Sequence, residues 1–280
     1  MNATLRFITQ HPLTRQRPFS ALARYARWQL ESRIRREIEF DWIEGSKLLV
    51  RNGMTGATGN IYCGLHEFAD MGFVLHFLRP EDLFVDVGAN IGSYTVLGAA
   101  VIGASVVAVE PDEIALGHLR SNVALNVVTH RVDVQPFAVG AVDGVVSFTV
   151  GRDTMNQVVA NGGQGTHEVP VRRLDALLNG RGPALIKLDV EVYEAEALAG
   201  AEFALSSPSL LAIESEGRAP EVLQTMRRHG FEEMFYDPFK RALVDHPVWP
   251  QSNGLFVRHR SRVKERLCGA RRINVLGQFL

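Results

Sequence analysis

Residues 84–92 combine a short apolar run with a glycine turn, a pattern that can bring main-chain amide groups to a small ligand. The segment reads Phe-Val-Asp-Val-Gly-Ala-Asn-Ile-Gly, which predicts a buried strand, a tight turn and the start of a helix. Gly88 and Gly92 allow the main chain to pass close beneath a ligand that the exposed amides face. Asp86, near the end of the strand, is expected to accept a hydrogen bond from an amino group of that ligand.

The glycine pattern of this turn distinguishes two classes of nucleotide-derived ligand. The dinucleotide fingerprint Gly-x-Gly-x-x-Gly requires glycines for the turn, for the approach of the pyrophosphate and for close packing. Here Asn90 and Ser93 occupy the second and third of those positions, and only Gly88 is kept. An adenosyl sulfonium has no pyrophosphate, so a side chain at position 90 is tolerated and can itself form hydrogen bonds. The loop therefore favours S-adenosylmethionine over a nicotinamide dinucleotide.

Two further strand ends are expected to complete the ligand site. The run Val-Ala-Val-Glu-Pro places Glu110 at the tip of the next strand, roughly twenty residues after Gly88, where an acidic residue can bind the ribose hydroxyls of a nucleoside. An ordinary surface carboxylate is the alternative explanation of Glu110. Ala138 follows at the carboxyl end of a third strand. The predicted cofactor-binding residues are Asp86, Gly88, Asn90, Gly92, Glu110 and Ala138.

A lysine and several acidic residues lie close together around a later predicted strand. Lysines occur only at positions 47, 187, 240 and 264, and Lys187 is the one inside an apolar run. A charge in a mostly buried strand is unfavourable unless it is paired, so Lys187 is expected to contact Asp189, Glu191 or a ligand. Asp189 and Glu191 share one face of the strand by its two-residue period, and Glu194 follows a short helical step later.

Three interpretations of this cluster remain open. In the first, Asp189 or Glu191 orients and partly deprotonates an acceptor hydroxyl, while Lys187 holds the cluster or steers the substrate. In the second, Asp189, Glu191 and Glu214 bind a hard divalent cation that polarises the hydroxyl. In the third, the residues form a structural salt-bridge network. The first is preferred, with Lys187, Asp189 and Glu191 as catalytic residues and no metal.

Other polar residues offer alternatives outside the cluster. His66 and His130 are alternative bases, although a lone histidine is more often a structural or surface residue. Asn156 and Gln157 lie in a glycine-rich stretch between strands, where they could line an acceptor pocket or belong to a solvated loop.

Beyond Pro80 the apolar pattern alternates between strands and helices. Strands are predicted at 83–89, 105–110, 132–139, 145–150, 184–190, 210–214 and 254–259, and helices at 92–102, 112–126, 193–205 and 219–229. Short apolar strands joined by helices imply an α/β, doubly wound, Rossmann-like fold with a mostly parallel sheet. Ligands of such sheets lie beyond the carboxyl ends of the strands, where the strand order reverses, and the residues singled out above fall at those ends.

The residues before Pro80 form a separate extension. Apolar residues every three or four positions predict a helix at 18–38, which packs on the protein core, on a dimer partner or, as a basic helix, on a membrane surface. A hairpin is predicted between residues 47–51 and the stretch around Tyr62, and a helix at 65–79 follows.

Three segments result from these patterns. Residues 1–79 are assigned to a helical and hairpin extension on the substrate or dimer side, and residues 80–260 to the cofactor-binding domain. Residues 261–280 form a basic tail that is docked or partly mobile.

The composition narrows the functional class. The 280 residues are 46% hydrophobic and 22% charged, which is ordinary for a globular protein, and the net charge of -1 argues against nucleic acid as the main partner. Cys63 and Cys268 are far apart and have no metal-ligand spacing, which favours a reducing compartment. A signal-like apolar region and a membrane-spanning run are both missing from the sequence, so a cytoplasmic location is expected, with peripheral membrane contact left open.

The chain resembles the FkbM-type methyltransferases. The motifs that carry the resemblance are Asp86 to Gly92, Glu110-Pro111, Ile186 to Glu191 and Ile213-Glu214, within residues 80–260. The resemblance implies a Class I methyltransferase fold, with a seven-stranded sheet whose last strand is antiparallel, and S-adenosylmethionine as methyl donor. It also implies O-methylation, often of sugar or secondary-metabolite hydroxyls. Where the family motif Lys-x-Asp-Val-Glu-Gly-x-Glu has glycine, this chain has Val192, which is strained if the position needs a positive φ.

Three functions follow as hypotheses. The preferred one is an O-methyltransferase acting on a hydroxyl of a sugar, glycolipid precursor or secondary metabolite, as a monomer or homodimer. The second is a nucleotide-cofactor oxidoreductase, which Asn90 and Ser93 disfavour. The third is a catalytically degenerate methyltransferase fold that serves as a binding module, which only Val192 suggests.

Overall fold

The computed structural model of the chain describes residues 3–149, 158–159, 166–190 and 192–280. Three residues singled out from the sequence, Asn156, Gln157 and Glu191, lie outside the described residues.

The extension that precedes the main sheet contains four helices and a short hairpin. Its elements are α1 (Ala3–Gln10), α2 (Pro18–Ile34), β1 (Ile38–Asp41), β2 (Lys47–Val50), α3 (Thr55–Cys63) and α4 (Phe68–Phe77). Strands β1 and β2 pair antiparallel. The turn between them has Glu44 at φ 52° and Gly45 at φ 83°, the two positive values typical of a tight hairpin turn.

The hairpin predicted between residues 47–51 and the stretch around Tyr62 is wrong. Gly53 does form a turn, with φ 99°, but the residues after it continue into α3. Ala57 and Ile61 are four residues apart and both buried, so a helix is stabilised by burial of one face despite its glycines. Strand β2 pairs instead with β1. The helix predicted at 18–38 ends at Ile34, and β1 begins at Ile38.

The remaining elements follow the expected alternation of strands and helices. They are β3 (Leu83–Val87), α5 (Ser93–Val96) running into a π-helical turn (Leu97–Ile102), β4 (Ser105–Val109), α6 (Glu113–Leu125), β5 (Val132–Gln135), β6 (Ala138–Val139), β7 (Gly144–Thr149), β8 (Val158–Val159), β9 (Thr166–Arg172), α7 (Leu174–Leu178), β10 (Leu185–Leu188), α8 (Glu194–Ala199), α9 (Glu202–Ser206), β11 (Ala212–Ser215), α10 (Pro220–Arg228), β12 (Glu232–Asp237), β13 (Ala242–Val244), β14 (Gly254–Val257), α11 (Arg260–Cys268), β15 (Asn274–Val275) and β16 (Gln278–Phe279).

The main sheet has the doubly wound topology that the sequence predicts. Its order is β13-β12-β14-β11-β10-β3-β4-β5, with β11, β10, β3, β4 and β5 parallel to one another. Strand β14 lies between β11 and β12 and is antiparallel to both, as expected of a Class I methyltransferase. The strand order reverses between β3 and β10, so the crevice of the sheet opens beyond the ends of these two strands.

The sheet contains eight strands among the described residues, where seven were predicted. Two of the eight, β12 and β13, were not among the strands predicted from the apolar pattern, and they pair antiparallel at the edge of the sheet. Arg241, with φ 50°, lies in the turn that sends the chain back along β12. A separate small sheet, in the order β6-β9-β7-β8, contains the strand predicted at 145–150.

The main chain of the extension is tied to the main domain by two asparagines of α6. Asn122 Oδ1 accepts a hydrogen bond from the Leu49 amide at 2.7 Å, and Asn126 Oδ1 accepts one from the Lys47 amide at 2.8 Å. These side chains satisfy main-chain groups of β2 that no strand pairs, so the extension is held against the sheet domain.

The C-terminal residues also pack on this domain. In α11, Arg266 donates to both carboxylate oxygens of Asp82, at 2.6 and 3.0 Å, a bidentate pair with good geometry. The hairpin of β15 and β16 follows, and the terminal Leu280 is buried. Within the described residues, none of the helices is long and apolar enough to cross a bilayer.

Candidate active site

The glycine loop after β3 approaches the end of β10 very closely. Gly88 has φ 77°, and a Cβ at this position would overlap the carbonyl oxygen of Asp189. The amides of Gly88 and Ala89 both donate to the Val109 carbonyl of β4, at 2.9 and 3.0 Å. Position 88 therefore needs glycine both for its backbone conformation and for its contact with the Asp189 main chain.

Glu110 is fixed at the tip of β4 by two main-chain amides. Its Oε2 accepts from the Asn90 amide at 2.7 Å and its Oε1 from the Asp112 amide at 2.9 Å. Burial raises the pKa of Glu110 to about 7, against the opposing effect of these two hydrogen bonds. The carboxyl group thus sits at the cavity with both oxygens oriented and with free lone pairs for further donors.

Three charged side chains form a row across the centre of the sheet. Lys187 of β10 lies in register with Asp86 of β3 on one side and with Glu214 of β11 on the other. All three are buried on the sheet face that packs against α4 and α5. Burial of this kind requires that charges are paired or that carboxyl groups are protonated.

Lys187 carries the positive charge of this row. Its Nζ lies 2.6 Å from Asp189 Oδ2 and 4.5 Å from the centre of the Tyr94 ring. Burial works to lower the pKa of Lys187, but Asp189, Glu67 and Asp86 outweigh burial and raise it. Burial likewise works to raise the pKa of Asp189, and the ammonium group outweighs it and lowers that pKa. Lys187 and Asp189 are therefore an ion pair at neutral pH.

The other carboxyl groups around Lys187 are shifted towards their neutral forms. Burial, and then the neighbouring Asp70, raises the pKa of Glu214 well above its usual range. Burial, and then Glu67, raises the pKa of Asp70 to about 8. Burial also raises the pKa of Asp86, whose Oδ2 accepts from the Thr95 hydroxyl at 2.6 Å. Asp189 is thus the carboxylate of this group that both pairs with the lysine and reaches the cavity.

A cavity of about 310 Å³ opens at the point where the strand order reverses. The glycine loop and Glu110 form one part of its wall, and Lys187 and Asp189 form another. The extension closes the third side with Met54, Ala57, His66, Glu67 and Met71. The volume and the mixture of apolar and charged walls are typical of a small-molecule site.

Comparison with known proteins identifies the family. The family model described as "Methyltransferase FkbM domain" matches residues 86–233, more than half of the chain. The chain belongs to the FkbM methyltransferase family. As a member of this family, it is an S-adenosylmethionine-dependent methyltransferase with the Class I fold.

The individual relatives share only a minority of their residues with this FkbM-family chain. The 31-O-demethyl-FK506 methyltransferase FkbM of Streptomyces tacrolimicus is 30% identical over 207 residues, which cover 59% of this chain and 78% of the relative. The structure of methyltransferase FkbM from Methylobacillus flagellatus KT matches 66% of this chain and 47% of that protein, with 22% identity and a TM-score of 0.47. The M. jannaschii protein TYW2, in complex with AdoMet, matches 80% of this chain and 87% of its own, with 14% identity and a TM-score of 0.41.

The structure gathers most of the predicted site residues around the cavity. Those that line it are Gly88, Asn90, Glu110, Ala138, Lys187 and Asp189. Asp86 and Gly92 do not line it. The Asp86 side chain lies beneath the floor, fully enclosed between Thr95 and Lys187, and Gly92 begins α5 with φ 91° below the loop. A direct contact of Asp86 with an amino group of the ligand therefore has no support in this geometry.

The cavity fits S-adenosylmethionine on the evidence of its own residues. Glu110 presents a buried carboxyl group with free lone pairs at the cavity wall, beside the glycine loop that Gly88 and Asn90 contribute to the same wall. When bound, the cofactor supplies a methyl group activated by a positively charged sulfur. The residues that would hold it are Gly88, Asn90, Glu110 and Ala138, and their binding roles remain our proposal.

Several cavity residues were not predicted from the sequence. Glu67 accepts a hydrogen bond from the Tyr94 hydroxyl at 2.8 Å, and Glu216 hydrogen-bonds the Asp189 carboxylate. The available signal was an acidic pair, Glu67 and Asp70, at the start of an otherwise apolar helix. Of the two alternative bases, His66 lines the cavity and burial lowers its pKa, whereas His130 is exposed on a loop.

Val192 occupies the position where the family motif has glycine, and its φ is 74°. The side chain is 87% exposed, so packing does not offset the strain of about 1–3 kcal/mol expected for a β-branched residue in this conformation.

Because glycine costs roughly 0.5–1 kcal/mol in backbone entropy, Val192→Gly is expected to increase the free energy of unfolding by about 1 kcal/mol. Urea denaturation measures the change. Val142→Gly, at an exposed valine with ordinary φ, is the matched control and is expected to lose stability. An equal loss in both variants would show that Val192 is not strained.

Proposed function

We propose that the chain is an O-methyltransferase that transfers the methyl group of S-adenosylmethionine to a hydroxyl of a sugar, glycolipid precursor or secondary metabolite. The observation that carries the proposal is the Asp189 carboxylate, ionised by Lys187 at 2.6 Å and 36% exposed at the cavity wall. A carboxylate in this position can accept the proton that a hydroxyl loses as it is methylated. The Streptomyces tacrolimicus relative, a methyltransferase of 31-O-demethyl-FK506, supports the same class.

Within this proposal the side chains around Asp189 have separate roles. Asp189 accepts a hydrogen bond from the acceptor hydroxyl and orients its oxygen. Lys187 holds the carboxylate in place through the 2.6 Å ion pair. Such a carboxylate needs no raised pKa, because alignment of the reacting atoms accounts for most of the rate of a displacement on an activated methyl group.

The acceptor is proposed to bind between Asp189 and the extension. Met54, Ala57 and Met71 offer an apolar wall, while His66 and Glu67 add polar groups. This mixture suits a hydroxyl carried on a partly apolar framework.

Methyl transfer from tritiated S-adenosylmethionine to a panel of acceptors tests the proposal. The panel contains monosaccharides, glycolipid precursors and polyketide alcohols, each beside its deoxy or amino analogue. We expect label in the hydroxyl compounds only, in a form stable to mild base as an ether is and a methyl ester is not. Label confined to nitrogen would refute O-methylation, and cofactor binding without any transfer would favour the binding-module hypothesis.

Metal dependence gives a second test of the cluster. Among the described residues no three histidine, cysteine, aspartate or glutamate side chains are placed to hold a metal ion. The Lys187 ammonium lies 2.6 Å from Asp189 and in register with Glu214, two of the carboxyl groups that the second interpretation assigned to a cation, and its charge repels one. Enzyme treated with a chelator is therefore expected to keep most of its turnover. Loss of activity that magnesium or manganese restores would replace the lysine-based interpretation with a metal site.

A further inference from the structure

Helix α2 has an apolar face that the protein leaves exposed. Phe19 and Ile34 are each 85% exposed and Leu30 is 64% exposed. Residues at these positions lie within one narrow sector of a helix, because 11 and 15 residues correspond to about three and four full turns. Ala23 and Ala26 fall in the same sector and are also exposed. We call these five residues the α2 stripe.

The opposite face of the same helix is the one that holds it on the protein. Ala21 and Trp28 are buried in the core of the extension, and the Tyr25 ring packs against Tyr62 of α3. Arg24 also donates to the Tyr62 carbonyl at 2.7 Å. The α2 stripe is therefore a second apolar face, which does not contribute to packing of the helix on the protein. Large apolar side chains exposed together on one face are typical of an interaction surface.

Arginines surround the stripe. Arg27 and Arg33 lie on its two flanks, and the helix and its ends carry arginines at 15, 17, 24, 27, 33, 35 and 36 with Glu31 as the sole acid of residues 15–36. The nearby acids are already paired: Glu31 with Arg27 at 2.8 Å, Glu37 with Arg51, and Glu39 with Lys47 at 3.6 Å. The acidic residues thus do not neutralise Arg33, Arg35 or Arg36.

We infer that the α2 stripe docks on an anionic phospholipid surface, with the helix lying in the plane of the interface. A helix with phenylalanine and leucine on one face and arginine at its borders inserts its apolar side below the headgroups and pairs its cations with anionic lipids. Docking of this kind does not depend on the acceptor proposed above. It places the membrane one helix away from Met54 and Ala57, because α2 packs directly on α3.

A second copy of the chain is a poorer occupant of this face. Symmetric pairing of two α2 helices brings the flanking arginines of both copies towards one another, with no acid free to separate them. The stripe also offers only three large apolar side chains, far fewer residues than the roughly 20–30 per side of a stable interface.

Vesicle cosedimentation of the full chain tests the inference. We expect binding to phosphatidylcholine vesicles that contain phosphatidylglycerol, little binding to phosphatidylcholine alone, and loss of binding when ionic strength rises from about 0.1 M to about 1 M. The triple variant Phe19→Ser, Leu30→Ser, Ile34→Ser is expected to bind at least about tenfold more weakly. Arg27→Gln with Arg33→Gln is expected to weaken binding roughly tenfold and to reduce its salt dependence.

The matched control is Ile114→Ser, Val142→Ser, Phe203→Ser, which removes three exposed apolar side chains from other parts of the protein. Because the substituted side chains in both triple variants are exposed, both are expected to keep the wild-type circular dichroism and melting temperature. Equal binding by the two triple variants, or no binding by the wild type to anionic vesicles at low salt, would overturn the inference. A dimer in solution that only the α2 triple variant abolishes would assign the stripe to a second copy instead.

Discussion

Asp189→Asn is expected to lower kcat by about 10²–10⁴ while leaving affinity for S-adenosylmethionine nearly unchanged, provided that Asp189 accepts the proton of the acceptor hydroxyl. The substitution keeps the shape of the side chain and removes the charge that faces Lys187 at 2.6 Å. The contact of Gly88 with the Asp189 carbonyl belongs to the main chain and is preserved. Single-turnover methyl transfer, once an acceptor is identified, measures the change.

Two further variants make the Asp189 experiment decisive. Glu196→Gln, at an exposed acid of α8 outside the cavity, is expected to transfer at the wild-type rate. His66→Asn tests the alternative base that lines the cavity. Wild-type transfer by Asp189→Asn together with loss in His66→Asn would move the base to His66, whereas loss of cofactor binding or folding by Asp189→Asn would make the cluster structural.

Glu110→Ala is expected to weaken binding of S-adenosylmethionine by about 1.5–3 kcal/mol, a rise in Kd of roughly tenfold to more than a hundredfold. We propose that the two carboxyl oxygens accept from the ribose hydroxyls in addition to the amides of Asn90 and Asp112. Titration calorimetry measures the change, and Glu113→Ala, at an exposed acid three residues further along, is the matched control. An unchanged Kd in a folded Glu110→Ala variant would rule the ribose role out.

The same carboxyl group gives cofactor binding a pH dependence. Burial raises the pKa of Glu110 to about 7, and hydroxyl donors prefer the ionised form. Affinity for S-adenosylmethionine is therefore expected to be constant above pH 7 and to fall as pH decreases through that value, by up to about tenfold per pH unit. The Glu110→Ala variant is expected to lack this dependence. The same slope in both proteins would assign the titration to another group.

The strands that position the cofactor loop could be predicted because buried strands consist of short runs of mostly apolar residues. Strands β3 and β4 are enclosed on both faces, so their side chains leave a continuous hydrophobic signal. The hairpin at β1 and β2 and the helix α3 could not be predicted in the same way. Strand β2 is held by Asn122 and Asn126 of α6, which are more than seventy residues away in the sequence.

The candidate site likewise has one part that could be predicted from the sequence and one part that could not. Gly88, Glu110, Lys187 and Asp189 could be placed together because parallel strands align their carboxyl ends at one edge of the sheet. The surroundings of Lys187 could not be foreseen, because they depend on how α4 crosses the sheet. That crossing brings Glu67 and Asp70 close to the lysine, and burial, followed by these neighbouring acids, raises the pKa of Asp70 and Glu214.

The contact between Gly88 and the Asp189 main chain has a consequence for how such an enzyme diversifies. Any side chain at position 88 displaces the segment that carries Asp189. Substitutions at these strand ends therefore change the cofactor part and the acceptor part of the cavity together. Met54, Ala57 and Met71 reach the same cavity from the extension without taking part in that contact. Libraries designed for new acceptors should therefore vary these three positions and leave the strand ends untouched.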